Sequence, residues 1–173
     1  HQRPNGDLYF RADGSVEPTY LWYYSHGIAS IALCEAYGMT RDRQLQRPAQ
    51  LALDFIMNSQ ETQLGGWRYG PQFGSDTSVS GWQLMALKSG DLAGLNVPKA
   101  TYQRVSRWLD YAQGAGGNPA RYAYRPASEQ PDQREPSQVM TAEALLMRQY
   151  LGWKRETPSM IDGADWFRTL LPK

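Results

Sequence analysis

The chain has 173 residues and a mass of 19.6 kDa, room for one folded unit with a buried core. Hydrophobic residues make up 41%, charged residues 20%, and the formal net charge is +1 with acids and bases interspersed, which argues against a nucleic-acid or membrane-surface footprint. Cys34 is the single cysteine, so no internal disulfide forms; no CxxC or paired-histidine spacing points to a metal, and no apolar run reaches the ~20 residues of a membrane span.

Residues 1–19, with Pro4, Gly6, Gly14 and Pro18, predict loop. A first helix is expected from about Tyr20 to Tyr37, with Ile28, Ile31, Ala32 and Leu33 at helical spacing and Gly38 as its stop. Cys34 falls in this apolar run and reads as a small core residue. The second helix runs from about Asp42 to Ser59 and carries Leu45, Ala49, Ala52, Leu53 and Ile56 on one face. A Gly/aromatic turn follows, then a third helix from about Thr77 to Leu92, ended by Gly94. Pro98 is placed to begin the fourth, which continues to Gln113. Residues 114–136 are rich in proline and glycine and predict a long loop. The fifth helix is expected from about Ser137 to Leu151, ended by Gly152. Thr157 and Pro158 then cap and start a sixth, with Trp166, Phe167 and Leu170 on its apolar side.

The pattern repeats. Gly38, Gly94 and Gly152 stand at the ends of the odd helices, and the even helices carry Leu53-Asp54-Phe55, Leu109-Asp110-Tyr111 and Ala164-Asp165-Trp166. Gln60, Gly65, Gly66 and Trp67 follow the first of these; Gln113, Gly117 and Tyr122 follow the second; Gln2, Gly6 and Leu8 show the same ending at the N-terminus. The period of about 55 residues is that of a helical-hairpin array. Three hairpins are expected, about 20–59, 77–113 and 137–171, in one repeat domain. No signal peptide is visible; the lack of an initiator Met reads as removal of a leader or of a larger parent, and the missing helix pair before Gln2 as a piece cut from a longer array.

The Gln60–Trp67 segment resembles the QW repeat (Gln, three residues, Gly, any residue, Trp) of squalene–hopene cyclases, with one extra residue before the glycine. With the hairpin period, the chain looks like the terpene-cyclase and protein-prenyltransferase superfamily, most closely from about Tyr24 to Gly90. The resemblance implies an all-α fold, an α/α toroid-type array that three hairpins leave incomplete. The odd helices would be inner ones lining a cavity. The third helix fits, being apolar nearly all round at Val79, Trp82, Leu84, Met85 and Leu87. By resemblance the partner is an apolar or isoprenoid-like small molecule, or a protein or peptide on the concave face. An uncovered terminal face would favour self-association or a partner domain.

Class II terpene cyclases protonate an alkene with an Asp in an Asp-x-Asp-Asp-Thr segment at the mouth of an inner helix. The corresponding residues here are Phe73-Gly74-Ser75-Asp76-Thr77, of which only the last Asp and the Thr match. Asp76 is therefore the candidate catalytic acid; an aspartate before a helix is also a common N-cap, which would hold its charged form and weaken it as an acid. The prenyltransferase zinc motif has no counterpart: His26 and Cys34 lie eight residues apart in one helix, about 12 Å, too far to share a metal, and no cofactor is implied. His26, at the start of the first helix, is a candidate ligand contact or acid/base, or a histidine bonded to a neighbouring loop. Tyr23, Tyr24, Trp82, Tyr69 and Tyr124 are candidate pocket aromatics, suited to a carbocation or a sugar ring, the latter as in a carbohydrate-active α/α toroid. Trp67 and Tyr122 recur in register and read as packing residues. The Arg68-Tyr69 and Arg121-Tyr122 pairs are candidate anion contacts. The readings open at this point are a ligand-binding or scaffold module, a cyclase-like isomerase using Asp76, and a carbohydrate-active domain.

Overall fold

The computed structural model describes residues 1–10, 20–113 and 118–169, and every regular element among them is a helix. These are α1 (Leu21–Thr40), α2 (Arg43–Ser59), α3 (Thr77–Leu92), α4 (Lys99–Ala112), α5 (Pro131–Arg134), α6 (Gln138–Tyr150) and α7 (Pro158–Arg168). Short antiparallel bridges pair Trp67 with Asp76, Gln113 with Tyr122 and Ala123 with Pro136, in the loops that enter α3 and α6. The expected positions Gly14, Pro18, Gly117 and Leu170 lie outside the described residues.

Local chemistry explains most helix starts. The side chain of Asp42 accepts from the Gln44 amide at 2.9 Å, Asp76 from Val79 at 2.7 Å and Ser137 from Met140 at 3.2 Å, each replacing a partner the first turn lacks. Thr157 occupies the cap position of α7 without a side-chain cap bond, so that helix starts on the preset φ of Pro158 alone. At the other ends, Gly94 (φ +81°) and Gly152 (φ +105°) reverse the chain in the left-handed region, as expected. Gly38 does not. It is helical, α1 continues to Thr40, and Arg41 (φ 55°) takes the left-handed cap. A Cβ at Gly38 would stand 3.2 Å from the Ala93 Cβ, so this glycine serves the close approach of α1 to the end of α3. The expected loop 114–136 contains α5, a single turn begun by Pro131.

Helices α1, α3 and α6 pack in succession. The second helix of each hairpin lies against this row: α2 touches α1 and α3, α4 touches α3 and α6, and α7 touches α6. The core between them is built from Leu53, Ile56, Val79, Leu84, Leu87, Val105, Leu109 and Trp67, all fully buried. Because α3 is covered on three sides, Val79, Leu84, Ala86, Leu87, Thr77, Ser80 and Gln83 are all buried on it.

The repeat is visible in hydrogen bonds as well as in spacing. Gln60 donates to the Gly65 carbonyl at 2.8 Å and the Thr101 carbonyl at 3.1 Å, tying the end of α2 to α4. Gln2 makes the same pair of bonds, to Gly6 at 3.1 Å and to Pro48 of α2 at 2.9 Å. Gly65 (φ +91°) and Gly6 (φ +95°) are required twice over, since a Cβ would come within 2.3 Å of the Arg104 carbonyl oxygen and 2.0 Å of that of Leu51. The amides of Leu8, Trp67 and Tyr122 then donate to His26 Nδ1, Ser80 Oγ and Thr141 Oγ1 at 3.1, 2.9 and 3.0 Å. Each of these acceptors lies on α1, α3 or α6, so one backbone motif joins the segment before each of these three helices to the helix itself. Trp67 also donates from Nε1 to the Ile56 carbonyl at 2.8 Å, and Tyr122 is likewise fully buried. The third of the even-helix triplets departs from the pattern: Ala164 is exposed, and Gly163 is the residue buried against Leu145.

Candidate functional site

The N-terminal end of α3 brings together side chains from four segments. Asp76, the cap of α3, is fully buried. Its Oδ1 accepts from the Val79 amide, and its Oδ2 accepts from the Tyr124 hydroxyl at 3.0 Å. Tyr124, from the loop between α4 and α6, shares a short hydrogen bond with the Tyr69 hydroxyl, from the loop between α2 and α3. Thr77 fixes the two loops against each other: its amide donates to the Tyr124 carbonyl at 3.1 Å, and its hydroxyl to that of Ala123 at 2.7 Å. Tyr24, in the first turn of α1, donates to Ser78 Oγ at 3.1 Å and completes the tyrosine group. Tyr24, Tyr69 and Tyr124 are all half-buried.

The electrostatics follow from burial. Loss of water pushes the Asp76 carboxyl up to about 6, against the downward pull of Val79, Tyr124, Arg68 and Arg125. Burial, together with the Asp76 charge and Tyr69, lifts the Tyr124 hydroxyl above the tyrosine range, so it stays protonated and donates to Asp76. Glu143, in the second turn of α6, is a further acid at this end. A Cβ at Gly81 of α3 would collide with its Oε1, which places the carboxyl directly on that glycine. Burial, and then the charge of Asp76, raises Glu143 to about 8.

Not all the candidate residues converge here. His26 is fully buried and turned toward α2, its ring centroid 4.7 Å from that of Phe55. Its Nδ1 accepts from the Leu8 amide and its Nε2 faces the Ala52 carbonyl at 3.2 Å, which fixes the proton on Nε2. This is the bond to a neighbouring loop, not a pocket contact. Tyr23 is fully buried with its ring 6.0 Å from Phe55 and its hydroxyl sealed beside Ser59. Trp82 is half-buried on α3, its Cβ close to Gly27 of α1. Asp76, Tyr24, Tyr69 and Tyr124 do meet.

Of the two arginine–tyrosine pairs, Arg121 is occupied: its guanidinium reaches Asp162 at 3.3 Å and lies over Trp166 at 4.4 Å. Arg68 instead lies over its neighbour Tyr69 at 4.6 Å, with Nε 3.8 Å from Asp76 Oδ2. Glu143 and Arg125 were not among the sequence candidates. Arg125 adjoins the flagged Tyr124, and Glu143 is a lone acid among Val139, Met140, Leu146 and Met147, the apolar residues one turn away on its helix, which was the signal available for it. Among the described residues, no group of three or more His, Cys, Asp or Glu side chains could hold a metal ion. No described helix is long and apolar enough to cross a membrane. Compared with protein-family models, with curated proteins and with solved structures, the chain has no match.

Proposed function

We propose that this chain is a ligand-binding helical-repeat domain of the incomplete-toroid type that its Gln60–Trp67 segment resembles, with its site on the tyrosine-lined surface at the N-terminal ends of α1 and α3. The Tyr69–Tyr124–Asp76 chain carries the reading. It holds two half-buried rings from successive loops beside Tyr24 by bonds that end on a buried carboxylate. Rings fixed in this way lose little freedom when a ligand settles on them, and their π faces suit an apolar or isoprenoid-like molecule. Asp76 supports binding better than proton donation, because both of its oxygens already accept hydrogen bonds and the residue is fully buried.

One observation favours a second reading. The raised Asp76 pKa leaves a protonated fraction near neutrality, as an isomerase using this residue as general acid would need. A single experiment separates the two. The protein is titrated with farnesol and with squalene while tryptophan fluorescence is followed, and the mixtures are analysed for cyclised products. Saturable binding, weakened in Tyr24→Phe and without product, supports the binding module. Product formed by the wild type and lost in Asp76→Asn would establish the isomerase. Absence of binding by either probe would overturn the isoprenoid assignment.

A further inference from the structure

A cavity of about 350 Å³ adjoins the tyrosine group between the loop before α3 and the loop before α6. Arg68, Arg125, Ser128, Glu129, Gln130 and Gln133 line it. We infer that it is a site for a phosphate group, held between the guanidinium groups of Arg68 and Arg125. This goes beyond the proposed tyrosine site, since it rests on different donors and stands whether or not that surface binds a ligand.

Unused donors are the basis of the inference. Among the described residues, Arg68, Arg104, Arg121, Arg125 and Arg148 are the buried or half-buried arginines. Arg104 is bonded to Gln60 and Thr101, Arg121 to Asp162, and Arg148 to Asp110, Ser106 and Tyr122. The other two face the cavity. Arg68 Nε is sealed beside Asp76, 3.8 Å from an oxygen that Tyr124 already engages, while its two terminal nitrogens are not sealed and make no hydrogen bond or ion pair among the described residues; these are the donors that Arg68 can offer the cavity. Its plane is set by the rings of Tyr69 and Phe73, 4.6 and 5.8 Å from the guanidinium carbon. The main chain of Arg125 is pinned, its amide donating to the Gln133 carbonyl at 2.8 Å and its carbonyl accepting from Ser128 at 3.0 Å. Its guanidinium makes no hydrogen bond or ion pair among the described residues, yet it is close enough to act on Asp76.

A planar guanidinium pairs best with a carboxylate or phosphate that accepts two bonds at once. The carboxylate already present, Asp76, is spent, so the acceptor has to come from outside. Ser128 and Gln133 are bonded within the loop and shape the wall rather than serve the ligand. Glu129 is exposed and its negative charge at the cavity opposes a polyanion, which limits the fit to one phosphate group. The volume is sufficient for a phosphate monoester of a small molecule.

The test is calorimetric titration of the purified chain with inorganic phosphate and with glucose 6-phosphate, at low ionic strength in chloride buffer. Saturable binding of either probe is expected, weakened about tenfold or more in Arg125→Gln. Arg121→Gln should bind as the wild type does, because that guanidinium serves Asp162. Tyr24→Phe should also leave phosphate binding unchanged, so that failure of the tyrosine site and failure of this one are read separately. Tighter binding of the ester than of free phosphate would show that the cavity holds an organic body as well. No saturable binding of either probe, or binding that survives Arg125→Gln, would overturn the inference; unchanged thermal unfolding of the ligand-free variant checks that it is folded.

Discussion

Two aspartates, Asp7 and Asp76, are fully buried in the segments that lead into α1 and α3, at different points of the repeat: Asp7 directly precedes Leu8, whose amide α1 holds, whereas Asp76 caps α3 itself. Their surroundings differ. Asp7 accepts from the Tyr9 amide at 2.9 Å and from Trp22 Nε1 at 3.1 Å, and pairs with Arg3 at 3.3 Å. Burial alone would raise its pKa, but the donors around it, the Tyr9 amide and Trp22 among them, outweigh it, and the carboxyl titrates below its ordinary value. Asp76 has one amide and one hydroxyl, and burial wins, lifting it to about 6. A closed set of donors makes Asp7 a clasp between the N-terminal segment and α1. An open one leaves Asp76 coupled to tyrosines that reach the surface.

That contrast can be broken by mutation. The largest effects are expected where burial is complete. Asp7→Ala leaves Trp22 Nε1 and the Tyr9 amide without their acceptor and should cost roughly 3–5 kcal/mol in urea unfolding. Trp67→Ala should cost about as much, roughly 3–5 kcal/mol, through lost burial and a cavity between α2 and α3. Leu8, the counterpart of Trp67 at the N-terminal junction, is half-buried, and its alanine variant should lose far less. An equal loss at Leu8 and Trp67 would mean that the two junctions carry similar load.

The pH dependence of stability sharpens the comparison, because the two acids act with opposite signs. The contribution of Asp7 is present above the unfolded carboxyl value and is lost as pH falls through its lowered folded value. For Asp76 the folded value lies above the unfolded 3.8, so the native state holds its proton more tightly. Stability should then fall as pH rises from about 4 to about 6, by up to roughly 2–3 kcal/mol. Asp76→Asn should remove that fall while leaving the acid loss due to Asp7. Glu143, raised to about 8, adds a decline of the same sign at higher pH, which Asp76→Asn does not abolish.

A smaller effect is expected at Tyr124. Replacing it by Phe removes the donor to Asp76 Oδ2 and should cost about 1 kcal/mol. The Asp76 pKa should rise further, measured by carboxyl carbon NMR titration, while that of Asp7 stays where it is. A fall in the Asp76 value would show that Tyr124 does not stabilise its charged form.

The helices were legible because their signals are local. Apolar spacing placed α2 and α3 within a residue of their observed ends, and Asp42, Asp76 and Ser137 cap the turns they precede. The junction was legible too: Gln60, Gly65 and Trp67 and their weaker copies mark bonds that recur in the structure. The phase of α1 was not. Tyr23 and His26 are three residues apart and share the face toward α2, while Tyr24, one residue on, is rotated about 100° toward α3. Aromatics adjacent in sequence thus went to different surfaces. Gly38 misled for a related reason, since a missing side chain serves a helix end and a close approach equally well.

The amino-acid order by itself determined where helices start, which residues cap them and how often the unit returns, because each depends on neighbours within about one turn of chain. It also marked Asp76 as a cap. Whether that carboxylate titrates high or low was decided elsewhere, by the burial that α3 acquires between α1 and α6, opposed by the hydrogen bond from Tyr124 almost fifty positions along the chain. The same holds for Arg68 and Arg125, which come to line one cavity only after two loops are fixed together by Thr77. Charge and solvent exposure act through space, so the identity of the site belongs to the packing rather than to the sequence neighbourhood of any one of its residues.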